Sequence, residues 1–301
     1  MSDLKIIDAH QHLWDLTNNI YPWLQNKPFK EMVVGDLSPI AKSFLLKDYK
    51  DCIKNQNVVK SVHMEALWNP SDPVGESRWV QSVSDSNADG FPHAIVAHAL
   101  LHEPNVDEVL AGHSQFKNVR GIRHIVNWHK NPAKTFVDRD DLLTDSKWLA
   151  GFKLLKKYNY SFDLQLYPSQ MTDGARVAHD NPDTQIIIDH TGMPVDRDKD
   201  NIDLWRSGME KLASAENVAT KISGLGMVDW NWTVDSIRPF VLQAIEIFGI
   251  DRCLFASNFP VDSLYSDYDT LYNAFKEIVK DFTDEEKRKL FHDNAARVYR
   301  I

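Results

Sequence analysis

Two histidines separated by one residue, His10 and His12, close an apolar run that starts at Ile6. On an extended strand alternate side chains share a face, so both imidazoles are expected to project together, on the same side as Asp8. Imidazole is the commonest metal ligand and one cation could use both rings, but a catalytic metal takes about three protein ligands. Other strands must supply the rest; failing that, the pair is ordinary packing. Polar residues end further apolar runs in the same way: His63 and Glu65, Arg123 and His124, Asp163, Gln165 and Tyr167, His190, and Asn258. Any one of these alone would be a helix-facing or capping residue; their joint placement at strand ends is what points to a site.

The elements that must carry these residues repeat along the chain. Strands are predicted over residues 6–13, 58–68, 93–101, 119–125, 161–167, 184–190, 218–223 and 252–257. Helices are predicted between them, over 43–56, 76–83, 106–116, 141–158, 174–179, 205–215 and 234–248, the last closed by Gly249. The run Ile186-Ile187-Ile188 is what a parallel strand covered on both faces should look like. Strand then helix, about eight times in units of roughly 30 residues, means an α/β fold, a (β/α)8 TIM barrel. Sites in such barrels lie at the C-terminal ends of the strands, where the polar residues collect. Helices over 268–279 and 284–299 are expected as a C-terminal extension that closes the barrel and carries no chemistry. The aromatic loop with Trp14, Tyr21 and Trp23 either covers a core edge or walls a pocket.

The chain of 301 residues fits one domain, 1–301, with 43% hydrophobic and 26% charged residues, enough for a large core. A net charge of -9 argues against a general nucleic-acid surface, which needs clustered Lys and Arg. Cys52 and Cys253 stand far apart, so neither a disulfide framework nor a thiolate metal site is expected, and both should be buried. No apolar run approaches ~18 residues, and the opening Met1-Ser2-Asp3-Leu4-Lys5 lacks a signal region, so no membrane role is expected and a cytoplasmic location is the default.

Several chemistries are set aside by absence of their motifs. There is no GxGxxG or P-loop, and Ser223-Gly224-Leu225-Gly226 lacks the flanking glycine of a nucleophile elbow. The fourth strand offers Arg120, Arg123 and His124 but no lysine, which favours a single metal or none over a lysine-bridged pair.

Taken in order, the motifs resemble the amidohydrolase superfamily, in the branch of sugar lactonases and 2-pyrone-4,6-dicarboxylate lactonase. The resemblance rests on Asp8-Ala9-His10-Gln11-His12-Leu13-Trp14, Tyr21-Pro22-Trp23, Gly121-Ile122-Arg123-His124, Asp189-His190-Thr191-Gly192, Lys221-Ile222-Ser223-Gly224-Leu225 and Phe255-Ala256-Ser257-Asn258-Phe259-Pro260-Val261. It runs on to Asn294-Ala295-Ala296-Arg297-Val298-Tyr299. It implies an amidohydrolase-type barrel in which His10, His12 and His190 bind one divalent cation in some members and substrate in others. Glu65 matches a strand-two acid, and Arg123 the partner of a substrate carboxylate or carbonyl. Asn258 stands where most members have Asp as metal ligand or general base. An amide cannot take a proton from water at neutral pH, so a metal-free route needs another base, with Glu65, His190, His63 or Asp262 as candidates.

The expected function is therefore a carboxylic ester hydrolase that opens a small lactone or cyclic ester of sugar-acid or pyrone-carboxylate type. The catalytic set is His190, Asn258, Glu65 and Arg123, the substrate-binding set His63, Gln165, Tyr167, His124 and Trp23, and the metal set His10, His12 and His190. The cofactor is one divalent cation, zinc or manganese, or none; the partner is a small-molecule substrate, with homo-oligomers allowed. A decarboxylase, another carbon-oxygen hydrolase, or a barrel that binds a sugar acid without turnover are the alternatives.

Overall fold

Eight strands pair in chain order and run parallel: β1 (Ile6–Gln11), β2 (Val58–Met64), β3 (Ala94–His98), β4 (Val119–Arg123), β5 (Ser161–Leu164), β6 (Ile186–Ile188), β7 (Val218–Ile222) and β8 (Cys253–Phe255). The structure, a computed structural model, describes residues 4–301; residues 1–3, part of the segment behind the expected location, lie outside the described residues. Helices α1 (Leu46–Ile53), α2 (Gly75–Asp85), α3 (Val106–His113), α4 (Ser146–Lys153), α5 (Met171–Asp180), α6 (Lys199–Ala213), α7 (Val234–Phe248) and α8 (Tyr268–Ile278) each follow one strand, giving the (β/α)8 barrel. The sheet closes where β8 runs out toward β1. Asn258 donates its N–H to the His10 carbonyl at 2.8 Å, and His12 donates to the Phe259 carbonyl at 2.7 Å.

Alternation along the strands decides what enters the barrel. Ile7, Val62, Val96, Ile187, Ala219 and Leu254 fill one end, with Val298 and Tyr299 packed beneath them. Two residues farther along their strands, Ile187 is followed by Asp189 and Ala219 by Lys221, so the interior changes from aliphatic to charged within one repeat.

Every strand ends earlier than predicted, because the backbone leaves the ladder where the polar residues begin. Leu67 (φ 56), His190 (55), Thr191 (56), Met193 (44) and Asn258 (59) all sit in the left-handed region. Such conformations cost about 1–3 kcal/mol each for non-glycine residues and persist where surrounding contacts over-determine them.

Three expectations need correction. Asp8 does not share a face with the histidines: its carboxylate accepts hydrogen bonds from Tyr49 of α1 (2.9 Å), Tyr268 of α8 (3.1 Å) and the Ser257 hydroxyl (2.7 Å). The register of β1 against β2 slips between Asp8 and Gln11, and that irregularity turns His10 inward. The predicted helix over 284–299 is Asp284–Arg288, a π turn at Lys289–Asp293 and Asn294–Tyr299, and it does reach the interior chemistry, since Tyr299 donates to Asp163 at 2.6 Å. Cys52 is only half-buried, whereas Cys253 is buried, and both are free. Among the described residues no helix is long and apolar enough to cross a membrane.

Candidate active site

Lys221 is the hub of the charged layer. It is fully buried, and an ammonium has three N–H donors to satisfy. Two are directed at Asp163 Oδ1 (2.5 Å) and His10 Nδ1 (3.3 Å), and Asp189 Oδ1 lies 2.9 Å from the ammonium as an ion-pair partner. Burial opposes ionisation of Asp189, but the Lys221 ammonium outweighs it and holds that carboxyl well below the usual range. For Asp163 burial wins and pushes the carboxyl up to about 6, against the pull of Lys221.

The lysine also orders the imidazoles. Because His10 Nδ1 accepts from Lys221, the proton of the neutral ring belongs on Nε2, which faces His12 Nε2 at 3.2 Å. His12 in turn donates from Nδ1 to the Met64 carbonyl at 2.8 Å. Burial first, and then the Lys221 charge, holds His10 well below its ordinary pKa; burial followed by the Arg123 charge takes His12 to about 3. His190 is likewise lowered to about 3, chiefly by burial, so all three rings are neutral at pH 7.

His190 is placed by its neighbours rather than by β6. Its Nδ1 lies 3.1 Å from Ser223 Oγ, which leaves Nε2 as the nitrogen for a reacting molecule. Gly224 (φ +63) packs against this ring so closely that a Cβ there would come within 2.5 Å of Nδ1. Only glycine accommodates both the backbone angle and the contact.

Arg123, at the end of β4, is held by Glu65. Its Nε donates to Glu65 Oε1 (2.6 Å), one Nη2 hydrogen to the Glu65 carbonyl (2.6 Å) and Nη1 to Gln165 Oε1 (3.1 Å). Burial would raise the Glu65 carboxyl, but the Arg123 charge outweighs it and leaves it at about 2. Of the five guanidinium hydrogens these contacts leave two, one on Nη1, with Asp189 Oδ2 3.5 Å away, and one on Nη2, which is available to a carbonyl oxygen.

His12, Trp23, Arg123, Gln165, His190 and Asn258 line one cavity of about 60 Å3 at the C-terminal ends of the strands. His10 stands behind His12, and Glu65 behind Arg123. Three candidates for substrate binding are not brought to this cavity. His63 faces α2, with Nε2 3.3 Å from Glu76 Oε1 and Nδ1 accepting from the Leu13 N–H. Residues 62 and 64 point into the barrel, so alternation sends 63 outward. Tyr167 donates to the Lys134 carbonyl at 2.5 Å, and His124 accepts from Trp148 Nε1 at 3.0 Å beside a second cavity.

Asn258 is oriented by the carboxyl four residues later. Its Nδ2 donates to Asp262 Oδ1 at 2.8 Å, which points Oδ1 toward His12 Nε2, 3.4 Å away. Asp262 is buried behind the amide, and burial pushes it up to about 7.

The donor set fits one divalent cation. His10 Nε2 and His12 Nε2 are 3.2 Å apart, close to the roughly 3.4 Å expected for two nitrogens each about 2.1 Å from a tetrahedral zinc. His10, Asp189 and His190 also offer ligand atoms that all lie within 4.8 Å of one another. For His10 to ligate through Nε2 its proton must move to Nδ1, where Asp189 Oδ1, 3.7 Å away, is the acceptor at hand and Lys221 the obstacle.

Sequence reasoning passed over Lys221 as a site residue, quoting it only within a motif. The available signal was a lysine in the buried run Val218-Ala219-Thr220-Lys221-Ile222, where alternation sends its side chain inward with Ala219. Tyr299 and Glu76 carry no such signal, because both come from helices whose approach to the barrel is a tertiary matter.

An uncharacterized protein, y4mH, of Sinorhizobium fredii is 49% identical over 301 residues, the whole of both chains. The L-fucono-1,5-lactonase of Burkholderia multivorans is 24% identical over 98% of this chain and 96% of its own. Among solved structures, an amidohydrolase from Burkholderia multivorans with bound zinc superposes with a TM-score of 0.81 at 21% identity, covering 98% of this chain and 99% of that one. The amidohydrolase family model matches residues 7–301, and with that span and the barrel's geometry the chain belongs to the amidohydrolase family.

Proposed function

We propose that this protein hydrolyses a small lactone by adding water to its carbonyl. The observation that carries the reading is the convergence on one cavity of a guanidinium with a spare donor, Arg123, and a neutral imidazole with a free nitrogen, His190. The name of the L-fucono-1,5-lactonase relative supports the same class of reaction.

Arg123 Nη2 donates to the carbonyl oxygen and stabilises the charge that grows there. Asn258 Oδ1 accepts one hydrogen of the attacking water, and His190 takes the proton as the new carbon-oxygen bond forms. The ring carbon-oxygen bond then breaks, and the proton on His190 passes to the departing alkoxide, giving the hydroxy acid. Asn258 thus orients water without acting as the base. His10 and His12 would hold a divalent cation, which leaves His190 Nε2 free as the base, and the zinc in the Burkholderia multivorans structure supports that part of the reading. Bound there, a cation would act as a Lewis acid toward the carbonyl oxygen.

The test is proton release, followed with a pH indicator, on aldonolactones and pyrone dicarboxylate, with and without chelation and added divalent cations. Ring opening of at least one lactone is expected. Intact protein that opens none of them removes the proposal.

A further inference from the structure

The cavity that holds the reacting groups is small. At about 60 Å3 it has room for a few waters, each needing about 10–15 Å3 of such space, and not for a substituted lactone. Most of any substrate must therefore lie elsewhere. A second cavity of about 560 Å3 adjoins it, within the ~300–1,000 Å3 typical of small-molecule sites. It lies over the C-terminal ends of β3 and β4, the face on which barrel enzymes bind substrate.

The two cavities share Trp23, Leu67, Ile125 and Phe136 as walls. Leu67 is held at φ 56 by its N–H bond to Glu65 Oε2, at 2.8 Å. The carboxylate that secures Arg123 thus also fixes the partition between the cavities.

The larger cavity is mainly apolar and has no Lys or Arg to pair with an acid. Pro22, Trp68, Leu100, Val106, Val109 and Val137 contribute to its lining, which includes Glu103 and no Lys or Arg. His124 Nδ1 accepts from Trp148, and burial, followed by the His98 charge, lowers its pKa to about 3. Its single proton is on Nε2, and with Asn69, Asn105, His98 and Glu103 it makes up the polar part of a mainly hydrocarbon lining. A carboxylate placed here would meet Glu103 and no Lys or Arg, whereas an uncharged ring or chain would bury apolar surface.

We propose that this cavity is a subsite for an uncharged aryl or alkyl substituent of the lactone, so that the preferred substrate carries such a group. The inference rests on the lactone-hydrolase reading for the reaction, but the subsite itself is testable without turnover. Trp23 and Trp68 line it, so tryptophan fluorescence reads its occupancy.

Titration with 4-phenylbutan-1-ol should give a saturable change with a Kd of about 1 mM or tighter. Val109→Asp should weaken it about tenfold or more, and Leu100→Lys, at an exposed rim position where folding is not at stake, should weaken it in the same direction. In parallel, kcat/KM for phenyl- or hexyl-substituted δ-valerolactone should exceed that for δ-valerolactone by about tenfold or more. Turnover of δ-valerolactone with no saturable probe binding and no preference for the substituted lactones overturns the subsite and leaves the reaction class standing. Probe binding sensitive to both variants, with no lactone opened, leaves the subsite standing and removes the reaction class. Probe binding indifferent to both variants, in protein that remains folded, overturns the subsite.

Discussion

The two ends of the barrel interior solve the same filling problem differently. Ile7, Val62, Ile187 and Leu254 fill one end with hydrocarbon that needs only to fit. At the other end Lys221, Asp163, Asp189, Arg123 and Glu65 are equally buried but are tolerable only as mutual partners. Each aliphatic side chain contributes about 1.5–3 kcal/mol by burial, whereas a buried ion pair roughly breaks even and becomes costly when one member is lost. The contrast teaches that the charged end is maintained for what it orients, namely the imidazoles and the Arg123 fork.

Removing the hub should break the contrast most severely. Lys221→Met leaves two carboxylates facing each other and is expected to cost about 3–5 kcal/mol at pH 8 in denaturant unfolding. Ile187→Ala at the aliphatic end should cost about 2–5 kcal/mol. The two differ in pH dependence. Asp163, already raised to about 6, takes up a proton at lower pH, so the Lys221→Met deficit should shrink from pH 8 to pH 5 while the Ile187→Ala deficit does not.

Gly224→Ala tests whether His190 must sit where it does. A Cβ 2.5 Å from Nδ1 displaces the ring, and a displacement of about 1 Å can cost about 10²-fold in kcat. Steady-state kinetics on whichever lactone is turned over reads the loss. The same substitution two residues later, Gly226→Ala, would meet the Tyr265 ring instead and should spare His190.

Acid sensitivity follows from the buried histidines. His12, His63, His124 and His190 are lowered to about 3 and His113 to about 4, mainly by burial, and His10 is lowered in the same direction. With unfolded values near 6.5, each contributes stability that is complete above that pH and is lost as pH falls toward the folded value. Asp8, Asp163, Asp262 and Glu76 are raised by burial and oppose this trend, but they are fewer. Each uncompensated proton is worth about 1.4 kcal/mol per pH unit, so the melting temperature should fall steadily from pH 6.5 to pH 4.

The smallest effect is expected at Asn258. Asn258→Asp places a carboxyl against Asp262 at the distance of the present 2.8 Å hydrogen bond, and the pair should share one proton. At pH 7 kcat/KM should change by less than about tenfold, with a new ionisation in the pH profile.

The barrel was legible because strand and helix periodicities alternate along the chain, and the strand-end rule located His12, Arg123, Gln165, His190 and Asn258 without a structure. Other parts were not, for identifiable reasons. His63 and Asp8 depend on side-chain alternation and on a register slip that hydrophobic pattern does not encode. Lys221 was hidden because its three partners come from three other strands, and Tyr299 because the helix that carries it packs under the barrel at the far end of the chain.

The most direct test of the central claim is kcat for lactone opening by His190→Ala beside the parent protein, with melting temperature as the check on folding. A loss of about 10²–10⁴ in kcat in folded protein is predicted for removal of the group proposed to take the proton from water. Unchanged kcat in a folded His190→Ala protein would contradict the account.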